Sequence, residues 1–259
     1  MTRHMVRIRR EIVRAALRGC RSPLASHRFS VRVDRKMYDA VTALTRPLEG
    51  VHWQREVVGG VPVERTVSLG ANATLIYLHG GAYGLGSAYG YRRVAGRLAE
   101  AAWMAAVVPD YSLAPESVAL EEMVEVYTAL LAAGMNPQTT VIAGDSAGGG
   151  LALALAMTLR DRGIARPAAL GLIRPVITSA VSPVCGNFAD LPPIVLQSAG
   201  EDPLVEKIVG VATDVEHQRS DALWRDIHLQ AGVRAEADLA LAELGSRLRA
   251  HVQARVETT

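Results

Sequence analysis

Hydrophobic and polar positions along the chain change period twice. Near the N-terminus Met5, Ile8, Ile12, Ala15, Ala16 and Gly19 recur at helical spacing, with Arg10, Arg14, Arg18 and Arg21 on the other side. This predicts a basic amphipathic helix of about four turns. A second helical stretch covers 35–44 and is stopped by Pro47. The period then falls to two: His52 to Val58 and Val61 to Val67 alternate apolar with polar around Gly59-Gly60, the signal of a β-hairpin. Residues 73–78 are more apolar and predict a third, buried strand. Beyond them strands at 104–108, 140–143, 168–173, 194–198 and, more weakly, 215–218 alternate with helices at 92–102, 120–133, 151–162 and 236–252. Such alternation implies a mostly parallel central sheet with right-handed crossovers and helices on both faces. No internal repeat or low-complexity linker interrupts the chain, and 259 residues with 49% apolar side chains suit one large α/β domain.

Charge changes the picture only at one end. The net charge of +2 conceals eleven basic side chains in residues 1–36 against Glu11 and Asp34, which leaves −7 for the remainder. The basic character therefore belongs to an arm (residues 1–50) and not to the domain (51–259). That arm suits contact with anionic lipid, a lid over the domain, or a solvated charge run on a packed helix. Aromatic residues make up 5%, too few for a base-stacking platform, so nucleic acid is not an expected partner. Cys20 and Cys185 are isolated thiols without metal-ligand spacing, which predicts a reducing compartment and no zinc. No run approaches the roughly 18 apolar residues of a membrane span. Arg7, Arg9, Arg10, Arg14 and Arg18 break up any signal-peptide core. A cytoplasmic protein, with peripheral membrane contact through the arm left open, is the expectation.

The chemistry gathers in the stretch 139–158, TTVIAGDSAGGGLALALAMT. Thr140 to Ala143 read as a buried strand, residues from Leu151 onward as a helix, and Gly144-Asp145-Ser146-Ala147-Gly148 as the turn between them. A G-x-S-x-G turn of this kind lifts a serine hydroxyl clear of the backbone, and small flanking residues are needed because strand and helix nearly touch. An ordinary glycine-rich turn has the same composition. The third strand, however, runs into His79-Gly80-Gly81-Ala82-Tyr83, about 65 residues earlier. Acyl transfer puts negative charge on the carbonyl oxygen, and main-chain N–H groups from such a loop, with that of Ala147, would form an oxyanion hole.

YLHGGAY, VVPDYSLAPE at 107–116, VIAGDSAGGGLALALA at 141–156, LPPIVLQSAGEDPL at 191–204 and LWRDIHLQAG at 223–232 together resemble the hormone-sensitive-lipase group of α/β-hydrolases, in particular bacterial acetyl-hydrolases and short-chain carboxylesterases. The likeness covers nearly everything from residue 55 on. It implies an α/β-hydrolase fold with a reduced N-terminal helical cap, hydrolysis of small acyl esters as substrates, and no metal or organic cofactor. Carried across residue by residue, it makes Ser146 the nucleophile and His79, Gly80, Gly81 and Ala147 the oxyanion hole. Ala82 stands where many relatives have a third glycine, and its N–H survives the change. Asp110 and Tyr111 match a motif that supports the oxyanion loop and the turn, although strand-end packing would account for them equally. Asp202 matches the triad acid, with Glu201 the nearest substitute, although an Asp before a Pro is also a common turn.

Two departures bear on activity. Relatives carry the catalytic histidine in a stretch like GMWHDFH, and the corresponding Ala222-Leu223-Trp224-Arg225-Asp226-Ile227-His228 places Arg225 at the base. A guanidinium stays protonated and accepts no proton from Ser146. His228, three residues on, is the candidate replacement, and a packed or surface role is its other reading; His217 on the last predicted strand is a more distant one. The second departure is length. The run between residues 173 and 194, with its cap region at about 175–192, is short, as is the run after Asp202, so the acyl site is expected to be poorly walled. Two functions follow: a serine carboxylesterase or acetyl-hydrolase, impaired at its base, or a hydrolase-fold protein that binds without turnover.

Overall fold

The computed structural model describes residues 48–67, 72–113, 115–176, 187–198, 203–212, 214–219 and 227–257. The expected helices at 5–19 and 35–44, most of the cap region, Glu201, Asp202 and Arg225 lie outside them. Eight strands form a single sheet: β1 (Trp53–Val58), β2 (Val61–Thr66), β3 (Thr74–Leu78), β4 (Ala105–Pro109), β5 (Thr140–Asp145), β6 (Ala169–Ile173), β7 (Ile194–Ser198) and β8 (Val215–Arg219), in the order β1-β2-β4-β3-β5-β6-β7-β8. β1 and β2 form the expected hairpin, with Val58 opposite Val61 and Gly59 and Gly60 both at positive φ. Gly59 has a further reason to be glycine, since a Cβ there would stand 2.6 Å from the backbone of Glu125. β2 runs antiparallel to β4, and every pair from β4 to β8 is parallel.

Alternation within the strands sends residues to two cores. Leu75 and Tyr77 pack beneath α1 (Ala88–Ala102) and α5 (Ala235–Glu257). Ile76 and Leu78 face α2 (Glu116–Ala132), α3 (Ala147–Asp161) and α4 (Pro203–Val211) on the opposite side. Every residue of β5, β6 and β7 is buried, as expected of central parallel strands covered on both faces.

Three helices begin earlier than the apolar period predicts. α1 starts at Ala88 because the Ser87 hydroxyl accepts the Gly90 N–H at 3.0 Å and so caps it. α2 starts directly after Pro115, which ends the preceding extended segment. In α3 even Gly148, Gly149 and Gly150 are helical. Propensity disfavours that by roughly 1 kcal/mol per glycine, but close packing overrides it: a Cβ on Gly148 would lie 2.1 Å from the Leu78 carbonyl oxygen. Parallel strands end side by side, so the loops after β3, β4, β5 and β6 meet along one edge, where open α/β sheets place their binding crevice.

Candidate active site

Ser146 follows β5 at that edge with φ 51° and ψ −120°, a conformation that costs a non-glycine residue about 1–3 kcal/mol. Three backbone hydrogen bonds hold it there. Its N–H donates to Ile173 O at 2.9 Å, and its carbonyl accepts from Gly150 at 3.1 Å and Val176 at 2.8 Å. The side chain makes no capping bond to the helix it precedes, so the hydroxyl is not spent on structure. Crowding explains the small neighbours. A Cβ on Gly144 would sit 2.5 Å from Gly148 O and 2.7 Å from Leu78 O. The turn thus has the geometry expected of a nucleophile elbow.

The loop after β3 lies against it. Gly81 (φ 129°), Ala82 (φ 53°) and Tyr83 (φ 54°) are successive positive-φ residues, and Gly84 and Leu85 both donate to Gly81 O, at 3.0 and 2.9 Å. Successive N–H groups in such a turn make a concavity suited to an anion. The Tyr83 hydroxyl donates to Ala147 O at 3.2 Å, which ties the loop to the start of α3. Burial, helped by nearby Glu116, pushes its phenol pKa upward. Among the described residues no acceptor is bonded to the N–H of Gly81, Ala82 or Ala147.

Two of the expected oxyanion residues have other occupations. The Gly80 N–H donates to Asp145 Oδ1 at 2.9 Å and is not available to a substrate oxygen. Its lack of a side chain is what allows this, because a Cβ would stand 2.2 Å from Asp145 Oδ2. Ala82 is thus the loop's second candidate donor, beside Gly81. His79 is fully buried, with Nδ1 2.9 Å from Gly80 O; a carbonyl only accepts, so the proton is on Nδ1. Its ring stacks on Tyr111 at 4.4 Å, and the Tyr111 hydroxyl donates to His79 O. Asp110 Oδ1 accepts the Ala88 N–H at 3.1 Å where the loop enters α1. Asp110 and Tyr111 thereby brace both ends of the loop, as the sequence motif implied.

Sequence reasoning missed Asp145. Its carboxylate, 1% exposed, accepts from Tyr77 OH at 2.9 Å and from Gly80 N on Oδ1, and from Tyr91 OH at 3.4 Å on Oδ2. His228 completes the ring: Nε2 lies 3.0 Å from Oδ2, in contact but without hydrogen-bond geometry. The expected stand-in base is therefore turned toward Asp145, and no hydrogen bond joins its ring to the Ser146 hydroxyl. His217 Nε2 sits 2.8 Å from the hydroxyl of Ser198, at the end of β7. A cleft of about 850 Å³ bordered by Arg160, Arg166 and Arg255 opens at the amino ends of β6 to β8, away from this chemistry.

Comparison with known proteins agrees with the geometry. Residues 75–182 match the family described as alpha/beta hydrolase fold. LipR of Mycobacterium tuberculosis, which carries an acetyl-hydrolase assignment, is 46% identical over 294 aligned positions that take in 95% of this chain and 96% of LipR. That alignment is longer than the chain's 259 residues, so LipR has internal segments this chain lacks. An acetyl-hydrolase of Streptomyces hygroscopicus is 37% identical over 60% of this chain and 52% of its own length. Among solved structures, an esterase of the bacterial hormone-sensitive lipase family superposes with a TM-score of 0.80 at 27% identity, covering 93% of this chain and 98% of that one. On that likeness and this fold, the chain belongs to the hormone-sensitive-lipase-like branch of the α/β-hydrolases and is a carboxylic ester hydrolase by family class.

Proposed function

We propose that the protein hydrolyses small acyl esters, acetyl esters among them, through Ser146. The hydroxyl oxygen attacks the ester carbonyl carbon, and the N–H groups of Gly81, Ala82 and Ala147 take the developing oxyanion. Collapse of that intermediate expels the alcohol and leaves an acyl-serine, which water then cleaves to the free acid. The observation that carries this reading is the strained Ser146 backbone beside a loop of positive-φ residues. Asp202 is assigned the triad acid by its place in Gly-Glu-Asp-Pro-Leu.

The weak point is the proton. With Arg225 at the position of the base and His228 committed to Asp145, the serine proton has solvent as its acceptor, and turnover is slow. Loss of one triad member typically lowers the rate about 10⁴- to 10⁶-fold and leaves the oxyanion hole's share in place. The same two observations favour a second reading, a hydrolase-fold protein that binds an ester without turning it over. Release of p-nitrophenol from p-nitrophenyl acetate by wild type, Ser146→Ala and Arg225→His separates them. Wild type above Ser146→Ala, and Arg225→His well above both, is the expected order; equal rates in all three would sink the hydrolase.

Residues 1–50 act in this reading as a basic arm on a hydrolase domain spanning 51–259, with contact to anionic lipid through the arm of a cytoplasmic protein. Among the described residues no helix is long and apolar enough to cross a membrane. Flotation with phosphatidylglycerol vesicles, compared between the full chain and one lacking residues 1–36, tests the arm: equal recovery refutes it.

A further inference from the structure

Resting on the serine reading above, we infer that Asp145 positions the oxyanion loop against the nucleophile and that His228, seated on its Oδ2, is a positioning residue and not the base. A buried carboxylate persists only where donors surround it. Here three separate parts of the fold supply them, Tyr77 from β3, Gly80 from the oxyanion loop and Tyr91 from α1, while His228 from the short 3₁₀ turn Ile227–Gln230 places Nε2 3.0 Å from Oδ2. Two of those parts matter for chemistry. Gly80 immediately precedes the N–H groups of Gly81 and Ala82, and Asp145 immediately precedes Ser146. One side chain therefore fixes the register between the nucleophile and the groups that receive the oxyanion.

The contact with Gly80 cannot relax quietly. The carboxylate fills the space a Gly80 Cβ would occupy, at 2.2 Å, so the loop is seated on it as well as bonded to it. His228 is the ring nitrogen on Oδ2, the oxygen whose other contact, Tyr91, is long at 3.4 Å. Its ring is 5% exposed, leaving little room for water to substitute. A misplaced oxyanion donor costs rate and not affinity, since the charge it meets exists only in the transition state.

The test is phosphonylation of Ser146 in the full chain by a p-nitrophenyl alkylphosphonate, with the limiting rate and the half-saturating concentration measured separately. Asp145→Asn and His228→Ala should lower the limiting rate about tenfold or more while half-saturation stays within roughly threefold. His228→Gln, whose amide can occupy the same place against Asp145 without an ionisable ring, should recover most of the rate. Asp145→Asn with His228→Ala should be no slower than the slower single variant, because both break one network. His251→Gln, at an imidazole paired with Glu216 at 2.9 Å away from the site, should match wild type. His228→Ala labelling at the wild-type rate overturns the positioning role. His228→Gln as slow as His228→Ala also overturns it, since the imidazole itself would then be needed as base. Wild type no faster than Ser146→Ala overturns the serine reading and this inference with it. Should His228→Ala not fold, His228→Met against His228→Gln carries the same comparison.

Discussion

Replacing Gly80 by alanine tests whether the oxyanion loop is seated on Asp145. The new methyl would stand 2.2 Å from Asp145 Oδ2 and 3.0 Å from its carbonyl oxygen. Ordinary contact begins at 3.4 Å, so loop and carboxylate must part by about 1.2 Å, enough to break the 2.9 Å Gly80 N–H bond to Oδ1. A buried hydrogen bond to a charged group contributes about 1.5–3 kcal/mol, and partial desolvation of the stranded carboxylate adds to the loss. The expected destabilisation is about 2–4 kcal/mol, or roughly 5–15 °C in melting temperature for a domain of this size. Phosphonylation of Ser146 should fall about 10²-fold as Gly81 and Ala82 move with their neighbour. Gly84→Ala is the internal control: it has no positive φ, and its nearest atom would be Ala82 O at 3.9 Å. Thermal melts and labelling rates of the two variants decide the matter. Gly80→Ala melting and reacting like Gly84→Ala would refute the reasoning, whichever residue proves to be the base.

The strain at Ser146 predicts that Ser146→Gly abolishes hydrolysis while melting a few degrees above Ser146→Ala, which keeps the positive φ of 51°; a lower melting point for the glycine variant would deny the strain. Among the described residues the buried Tyr127 hydroxyl has no hydrogen-bond partner, so Tyr127→Phe should leave urea stability unchanged or raise it by up to about 1 kcal/mol. Burial raises the pKa of that phenol above its ordinary value of 10.0. The unfolded phenol ionises first, so stability is complete below pH 10 and falls as pH rises beyond it. Urea midpoints at pH 9 and 11 should show a smaller alkaline loss in Tyr127→Phe, and identical losses would refute the assignment.

Strand positions were legible because burial on both faces leaves uninterrupted apolar runs. β7 is found at residues 194–198 as expected, and the hairpin turns at Gly59-Gly60. Helix starts were less legible, since they are set by groups the apolar period does not contain. Ser87 caps α1, and Gly148 and Gly149 stay glycine inside a helix because Leu78, His79 and Pro175 leave no room for a Cβ. The serine turn and its loop announced themselves as small residues in sequence. Which N–H groups of the loop are free did not, because that depends on a carboxylate arriving from β5, 65 residues away. Asp145 itself looked like filler in the Gly-x-Ser pattern.

The bonds that hold the site's geometry are distinct from the group that takes the serine proton. Ser146 is held by Ile173, Gly150 and Val176, and the loop by Asp145, Tyr111 and Tyr83. None of these bonds involves residue 225. On the proposed reading, in which Arg225 stands at the position of the base, the defect in proton transfer is separate from these bonds, whereas loss of Asp145 would disturb the seat of the oxyanion loop directly. Defects of the two kinds should therefore combine independently: Arg225→His ought to raise the rate by a similar factor whether Gly80 is intact or replaced by alanine. A gain that vanishes in the Gly80→Ala background would mean that base and oxyanion loop form one unit, contrary to the bonding that holds them.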